Sequence, residues 1–451
     1  MFEFGRELWR WFSKGPRPGR DGFSGGDGAL LELLDLEMLR AEAKGADVAA
    51  GRIGAKDRPR RLLEAASTWR ELARRSGDSG ALRHAADNAE KAAAAFAEAR
   101  RHRDWARARL EQGACALMGA DLFGDKGLEA AAERAAGEAQ RAGGGSGLLA
   151  LAMVAHIRAR RGANAGGAAE VRAGARLFND PIGLLEAAGR KDGALKIGAV
   201  EARLARAELL LGAGRRLRDE DLVRAALGDL AAALERLDAA YEPLTVSRIA
   251  IAKAAAKALL GELSGDLARL ARAVSTLANA LDTLGRAHSP LDWARGQVTL
   301  ARSLTQLGEA TENESGFSKA LACYDRAGQG LKAAPGLVLR AEIATGRGQT
   351  LARLAELTGN VKVLNAAAAA FKGELAQGPH RNDPVTWAML QVQLGQVYLT
   401  RLSLTGRDRG ERAAAALAFQ SALDVFSEQD LRSLEAIAAE GLEKLAAVRV
   451  G

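Results

Sequence analysis

From about residue 60 onward, apolar residues recur every three or four positions, and short polar breaks interrupt this pattern at regular intervals. Steps of three and four place the apolar side chains on one face of a helix, so the pattern predicts amphipathic α-helices. Most breaks contain Gly, which can end a helix in the left-handed conformation. Most also have Asp or Asn at their third position, which can cap the next helix. Each break therefore predicts the turn of a helical hairpin.

The breaks follow an almost constant period. Their third positions are 78, 125, 167, 219, 266, 313, 360 and 407. Successive positions differ by 47 residues, except for one step of 42 and one of 52, which together make two periods. A single hairpin would leave an apolar face in water, so stacking on its neighbours is needed to bury a core. We therefore predict an all-α fold, a right-handed α-solenoid of about eight helical hairpins with a period near 47 residues.

Large aromatic residues recur at fixed places in this array. Trp105, Trp293 and Trp387 each lie 20 residues before a break position. In the predicted second helices, Tyr324 and Phe419 each precede an Ala by three residues, so a large side chain lies one turn from a small one. The shared spacing predicts structural packing roles for these five aromatic residues.

These positions resemble the tetratricopeptide superfamily, especially its long-period bacterial variety. The matching residues of the last unit are Trp387, Ala388, Gln391, Leu394, Gly395, Ala418, Phe419 and Ala422, and those of an earlier unit are Trp293, Ala294, Gln297, Leu300, Gly308 and Tyr324. The resemblance covers about residues 60 to 427, although middle units carry small residues such as Val246 in place of Trp. A standard unit has about 34 residues, so the longer period implies longer helices or loops.

The resemblance implies a function in binding. In this superfamily the concave surface usually holds a peptide or helix of another protein, and polar residues of the first helices line that groove. The corresponding candidates in this chain are Arg295, Gln297, Arg302 and Gln391.

The two ends differ from the array, which spans residues 60–427. Leucines at 30, 31, 33, 34, 36 and 39 predict an N-terminal capping helix and connector at residues 29–59. Residues 15–28 are rich in Gly and Pro and predict a flexible linker. Apolar residues at helical spacing predict a C-terminal capping helix within residues 428–451.

Residues 1–14 predict a separate amphipathic helix. Its apolar arc carries Phe2, Phe4, Leu8, Trp9, Trp11 and Phe12, and its charged arc carries Arg6, Arg10 and Lys14 together with Glu3 and Glu7. Aromatic rings opposite cations are what a helix lying in an anionic membrane surface requires. Two other interpretations stay open: the helix packs on the solenoid or in a partner's groove, or the segment is a disordered tail.

Charge and composition restrict the other function classes. The net charge of +8 arises from 64 basic and 56 acidic residues spread along the chain, a mixed surface that does not favour nucleic acid as a partner. No apolar run approaches the about 18 residues that cross a bilayer, and no secretory signal is recognisable. Two distant cysteines, Cys115 and Cys323, predict no disulfide. We expect a cytoplasmic protein, peripheral on the inner face of the cell membrane if residues 1–14 bind lipid.

Motifs that carry chemistry are weak in this sequence. The chain contains no Gly-Lys dipeptide, which a P-loop requires, and the Gly-rich letters of residues 145–150 follow no predicted strand. The five histidines are scattered without metal-ligand spacing. Basic clusters at residues 100–103 and 158–161 are typical of solvated helix ends. We expect no catalytic residue, no cofactor and no metal.

The sequence therefore predicts a non-catalytic protein–protein interaction scaffold or adaptor, tethered to the membrane surface by its N-terminal helix. One alternative is a soluble scaffold whose aromatic N-terminal helix docks into a protein groove to control assembly. A remote alternative is a nucleic-acid-binding repeat protein. Neither the partner nor the oligomeric state follows from the sequence.

Overall fold

A computed structural model of the chain describes residues 29–52, 57–165, 167–331, 334, 337–376, 384–429 and 431–448. Every regular element in these ranges is a helix. A 3-10 helix at Ala29–Leu33 precedes α1 at Leu36–Gly51. The predicted N-terminal helix and linker, residues 1–28, lie outside the described residues. The same holds for all of the candidate docking residues, which are Phe2, Phe4, Arg6, Leu8, Trp9, Arg10, Trp11, Phe12 and Lys14.

Helical hairpins follow α1. Their first and second helices are α2 (Arg58–Ser76) with α3 (Ser79–Glu98), α4 (His102–Phe123) with α5 (Lys126–Ala142), α6 (Gly144–Ala165) with α7 (Ala168–Arg176) and α8 (Asn179–Gly189), α9 (Gly193–Leu217) with α10 (Glu220–Leu234), α11 (Pro243–Leu263) with α12 (Leu267–Thr283), α13 (Pro290–Ala310) with α14 (Glu314–Gly330), α15 (Val338–Thr358) with α16 (Val361–Ala376), and α17 (Pro384–Thr405) with α18 (Glu411–Glu428). A last helix, α19 at Arg432–Ala447, packs on α18.

Each hairpin packs on the next, so the chain is an α-solenoid of helical hairpins, as predicted. The exception to the two-helix unit is the third hairpin, whose second arm is divided into α7 and α8 around the buried Phe178. Among the described helices, none has the length and apolar content needed to cross a bilayer.

The break residues cap the helices as their types predict. Asp78 accepts hydrogen bonds from the amides of Gly80 and Ala81, and the carboxylates of Asp125, Asp219 and Asp266 also cap the helices that follow them. These contacts satisfy amides that the first turn of a helix leaves without partners. The polar breaks therefore fix where second helices begin.

Small residues on first helices allow large residues on second helices to pack between hairpin arms. A Cβ atom added at Gly395 would lie 2.9 Å from Cζ of Phe419, and one added at Gly348 would lie 2.5 Å from Cζ of Phe371. Both phenylalanines are fully buried. The three repeat tryptophans, Trp105, Trp293 and Trp387, are half-buried at the edges of separate apolar cores.

The superhelix closes on itself. In a simple solenoid each repeat contacts only its neighbours, but here α2 contacts α13, α4 contacts α15, and the 3-10 helix contacts α11. Leu122 of α4 belongs to the same buried apolar cluster as Leu244, Leu337 and Leu339. Consequently the N-terminal hairpins lie against hairpins that follow them by one turn of the superhelix.

Candidate functional site on the inner face

First helices line the inside of this superhelix. The first helices α9, α11, α13 and α15 contact one another in succession, and α2 and α4 contact α13 and α15 from across the turn. We call the surface formed by α9, α11, α13 and α15 the inner face.

Charged residues recur on the inner face at the period of the repeat. Glu201, Arg248, Arg295 and Glu342 are separated by successive steps of 47 residues. Arg248 Nη1 lies 3.1 Å from Glu201 Oε1 in the adjacent hairpin. Arg302 Nη2 lies 3.1 Å from Glu342 Oε2, which joins the next pair of hairpins. Acidic and basic residues of neighbouring first helices therefore pair across the inner face.

Three charged side chains of the inner face have no pairing of this kind. Within the described ranges, the side chains of Glu208, Arg215 and Arg295 make neither a hydrogen bond nor an ion pair with another residue. All three are open to water. They are therefore available to a ligand.

The surroundings of Glu208 and Arg215 disfavour the charged forms of both side chains. Surrounding protein raises the pKa of Glu208, and the opposing influence of Arg248 and Arg295 does not cancel this effect. The pKa of the Arg215 guanidinium is lowered, first because protein surrounds it and second because Arg302 carries the same charge. Both charges would gain from a partner of opposite sign.

The structure places the predicted groove residues in different environments. Arg295 and Arg302 lie on α13, seven residues or two helical turns apart, and both belong to the inner face. Gln297 is only 4% exposed, and its Oε1 atom has no hydrogen-bond partner within the described chain, so it does not line an open surface. Gln391 is half-buried on α17, beyond the inner face defined above.

The predicted groove residues did not include Glu208, Arg215 or Arg248. The period itself contains the missing signal, because Arg248 lies one period before Arg295, and Glu208 lies two periods before Arg302. Residues at equivalent positions of a repeat occupy equivalent places on its surface.

An ionic network fastens the N-terminal hairpin to the inner face. Arg74 Nη1 on α2 lies 2.9 Å from Oδ2 of the buried Asp292 on α13. Ser289 donates a hydrogen bond of 2.6 Å to the same carboxylate oxygen. Burial alone would raise the pKa of Asp292, but Arg74 and Arg248 hold it below its usual value. The carboxylate is therefore ionised at neutral pH.

Glu71 extends this network along α2. Its carboxylate accepts hydrogen bonds from Arg74 at 2.8 Å and from the fully buried Arg75 at 2.7 Å. These two guanidinium groups outweigh the effect of burial and lower the pKa of Glu71 to about 2. The network is thus continuous from α2 to α13.

The cysteines and the described metal-binding side chains offer little chemistry. Cys115 and Cys323 are buried, and burial raises the pKa of both thiols, so they are poor nucleophiles at neutral pH. Within the described chain, His, Cys, Asp and Glu side chains form no cluster that could hold a metal ion.

The basic cluster at residues 158–161 is largely neutralised by neighbouring carboxylates. Arg160 pairs with Asp121 and Glu129, and Arg161 pairs with Glu129 and Glu133 at 3.1 Å. Such pairing leaves little uncompensated charge for the phosphates of a nucleic acid.

Comparisons with known proteins find similarity in fold alone. No protein-family model matches the sequence, and no curated protein matches it. A structure of a Rap protein complexed with Competence and Sporulation Factor has 12% identity, covers 86% of this chain and 98% of its own, and has a TM-score of 0.44. Yeast Tom70 has 13% identity, coverages of 91% and 96%, and a TM-score of 0.27. The tetratricopeptide domain of P58(IPK) has 16% identity, coverages of 92% and 99%, and a TM-score of 0.21. With such scores, none of these structures tells us what this chain binds.

Proposed function

We propose that this chain is a non-catalytic protein–protein interaction scaffold whose inner face binds a charged segment of a partner protein. The observation that carries the proposal is the set of unpaired charges Glu208, Arg215 and Arg295. A charged side chain without a hydrogen-bonded counter-charge is stabilised when a ligand supplies one. The ligand we expect is a peptide segment that carries both acidic and basic side chains.

Selection from a displayed library of random peptides tests this function, because it requires no identified partner. The full chain is the bait, and the peptides it enriches are then titrated against Arg215→Gln, Arg295→Gln and the control Arg134→Gln. Arg134 is exposed on α5, a second helix away from the inner face.

We expect each inner-face substitution to weaken binding at least tenfold, because a hydrogen bond to a charged group contributes about 1.5–3 kcal/mol. The control should bind within twofold of the wild type. Failure to enrich any peptide, or enrichment of peptides that bind all variants equally, would contradict the proposal.

We further propose that the scaffold is cytoplasmic and is tethered to the inner surface of the membrane by residues 2–14. Supporting this is the segregation of five aromatic residues and Leu8 from Arg6, Arg10 and Lys14. A single short helix of this kind anchors reversibly, so release from the membrane is part of the proposal.

Co-sedimentation with anionic liposomes tests the tether. The full chain is compared with a chain lacking residues 1–14 and with the Trp9→Ser, Trp11→Ser double variant, and zwitterionic liposomes serve as the control. We expect the full chain to pellet with anionic liposomes, whereas the truncated chain and the double variant stay in the supernatant. The pelleted fraction of the full chain should fall at high salt. If the full chain stays in the supernatant, the soluble alternative is favoured, in which the N-terminal segment docks into a protein groove.

A further inference from the structure

The short segment before α1 contacts helices that lie far away in the sequence. We call residues 29–34, the 3-10 helix and Leu34, the strap. The Glu32 carboxylate of the strap accepts hydrogen bonds from the amides of Leu244 at 2.9 Å and Thr245 at 3.0 Å, and from the Thr245 hydroxyl. Glu32 and Thr245 are separated by 213 residues.

Glu32 acts as the missing cap of α11. The residue that precedes this helix, Glu242, makes no capping hydrogen bond with its own side chain. The first amides of a helix have no partners within the helix and attract negative charge. The strap therefore supplies the carboxylate that the first turn of α11 lacks.

Other contacts hold the strap from both sides. Arg75 of α2 donates hydrogen bonds to the backbone carbonyl of Leu34 at 2.6 Å and to that of Leu31. On the opposite side, His288 Nε2 lies 2.7 Å from the backbone carbonyl oxygen of Glu32, just before α13. The strap thus lies between the N-terminal hairpin and the start of two inner-face helices.

We propose that the strap is a latch that holds the superhelix closed and limits access to the inner face. Its position supports this role, because it joins α2 to α11 and α13, which belong to different turns of the superhelix. Its chemistry makes it releasable, because the carboxylate that it presents to α11 is held by neutral donors. Burial also raises the pKa of that carboxylate, so its ionised form is not strongly stabilised. Release of Glu32 would leave the amides of α11 to water and loosen the junction of the two turns, which would then rest on the Arg74–Asp292 pair and the apolar contacts.

The latch goes beyond the proposed function and does not depend on any partner, so it is tested on the chain alone. A reporter variant, Glu208→Cys, places a thiol on the inner face. The probe is a maleimide on a 5-kDa polyethylene glycol, about the mass of a small protein domain. The rate at which the probe labels this thiol measures access to the inner face. The two native thiols are buried and at most 2% exposed, so they label slowly.

The latch is opened in this background by Glu32→Ala and, separately, by Thr245→Val, which removes the hydroxyl donor with little change of volume. The matched control is Glu37→Ala, an exposed carboxylate on α1. A second reporter, Arg134→Cys on α5, shows the labelling rate of the outer surface. Far-ultraviolet circular dichroism identifies the variants that keep the helical content of the wild type.

We expect both latch variants to label at position 208 at least fivefold faster than the wild type, and to label at position 134 at an unchanged rate. The control should match the wild type at both positions. An increase of less than fivefold at position 208 in folded latch variants, or an equal increase at both positions, would overturn the latch. Neither result bears on whether the inner face binds peptides, so the two proposals are tested separately.

Discussion

The guanidinium of Arg74 lies 2.9 Å from the carboxylate of Asp292, although 218 residues separate them in the sequence. Both side chains are largely buried, with 15% and 4% of their surfaces exposed. A pair in this position links the stability of the first hairpin to that of hairpins one superhelical turn later. The chain is therefore more cooperative than a linear array, in which each repeat depends only on its neighbours.

The first prediction concerns this pair. Arg74→Met should destabilise the chain by about 3 kcal/mol, because it leaves the Asp292 carboxylate buried with a weaker counter-charge from Arg248, whose Nε lies 3.9 Å away. Urea unfolding followed by circular dichroism measures the change. Lys91→Met, which breaks an exposed pair with Asp87, is the control and should cost less than about 1 kcal/mol.

The double variant Arg74→Met, Asp292→Leu separates an unpaired charge from a lost contact. Removing both charges should recover part of the stability that Arg74→Met loses, because no buried charge is left without its partner. If the double variant loses as much free energy of unfolding as the two single variants lose together, Arg74 is not the main counter-charge of Asp292.

The second prediction concerns acid. The pKa of Glu71 is about 2 in the folded chain, below its usual 4.5, so its stabilising effect is complete above about pH 4.5 and is lost as the pH falls toward 2. Glu71→Gln should therefore be less stable than the wild type at pH 7, by on the order of 3 kcal/mol. The difference between the two chains should shrink between pH 5 and about pH 3.

Urea midpoints measured at several pH values check this dependence. The control is Glu64→Gln, which removes an exposed carboxylate that pairs with Arg60 at 3.2 Å on the same helix. Its difference from the wild type should stay below about 0.5 kcal/mol at every pH. A wild type and a Glu71→Gln variant with parallel pH profiles would show that Glu71 is not the titrating group.

Local features of this fold follow from the sequence, and the closure of the superhelix does not. Asp78 and Asp125 cap helices because their side chains reach amides two and three residues away, an interaction that any sequence window contains. In contrast, nothing near Glu32 or Arg74 in the sequence indicates Thr245 or Asp292. The period sets the length of each hairpin, but the angle between hairpins depends on packing at each interface.

The candidate site shows the same division. Arg295 and Gln297 are two residues apart on α13, so they point to faces about 200° apart, and only Arg295 reaches the inner face. A helical wheel alone cannot say which of these faces is inward, because both helices of a hairpin are amphipathic. The contacts across the turn of the superhelix decide it.

The third prediction concerns hairpin packing. Gly395→Ala should destabilise the chain by about 1–3 kcal/mol, because the added methyl group would lie 2.9 Å from ring atoms of the buried Phe419. Gly373→Ala on α16 is the matched control, because an added Cβ there has no atom within 4 Å. That control should stabilise the chain by roughly 0.5–1 kcal/mol through helix propensity. Thermal unfolding of the two variants should thus shift in opposite directions.

The last prediction uses the period to find backbone strain. The residue before each break position adopts a positive φ angle in most hairpins, and this residue is usually Gly, as at positions 77, 124, 265, 359 and 406. Arg218 and Glu312 occupy the equivalent places with φ angles of 52° and 49°. A side chain in this region costs about 1 kcal/mol relative to Gly. Arg218 loses little else on substitution, because its side chain is 67% exposed and lies 3.6 Å from Glu262.

Arg218→Gly and Glu312→Gly should therefore each stabilise the chain by about 0.5–1 kcal/mol, although Gly substitutions usually destabilise proteins. The reverse change, Gly265→Ala, should destabilise it by about 1 kcal/mol, since φ is 69° there and no neighbouring atom lies within 4 Å of an added Cβ. Urea unfolding measures all three. Space is not limiting at Gly265. A neutral result for Gly265→Ala would therefore mean that the left-handed turn is not needed to end the first helices. The expected gain in stability at positions 218 and 312 would then disappear as well.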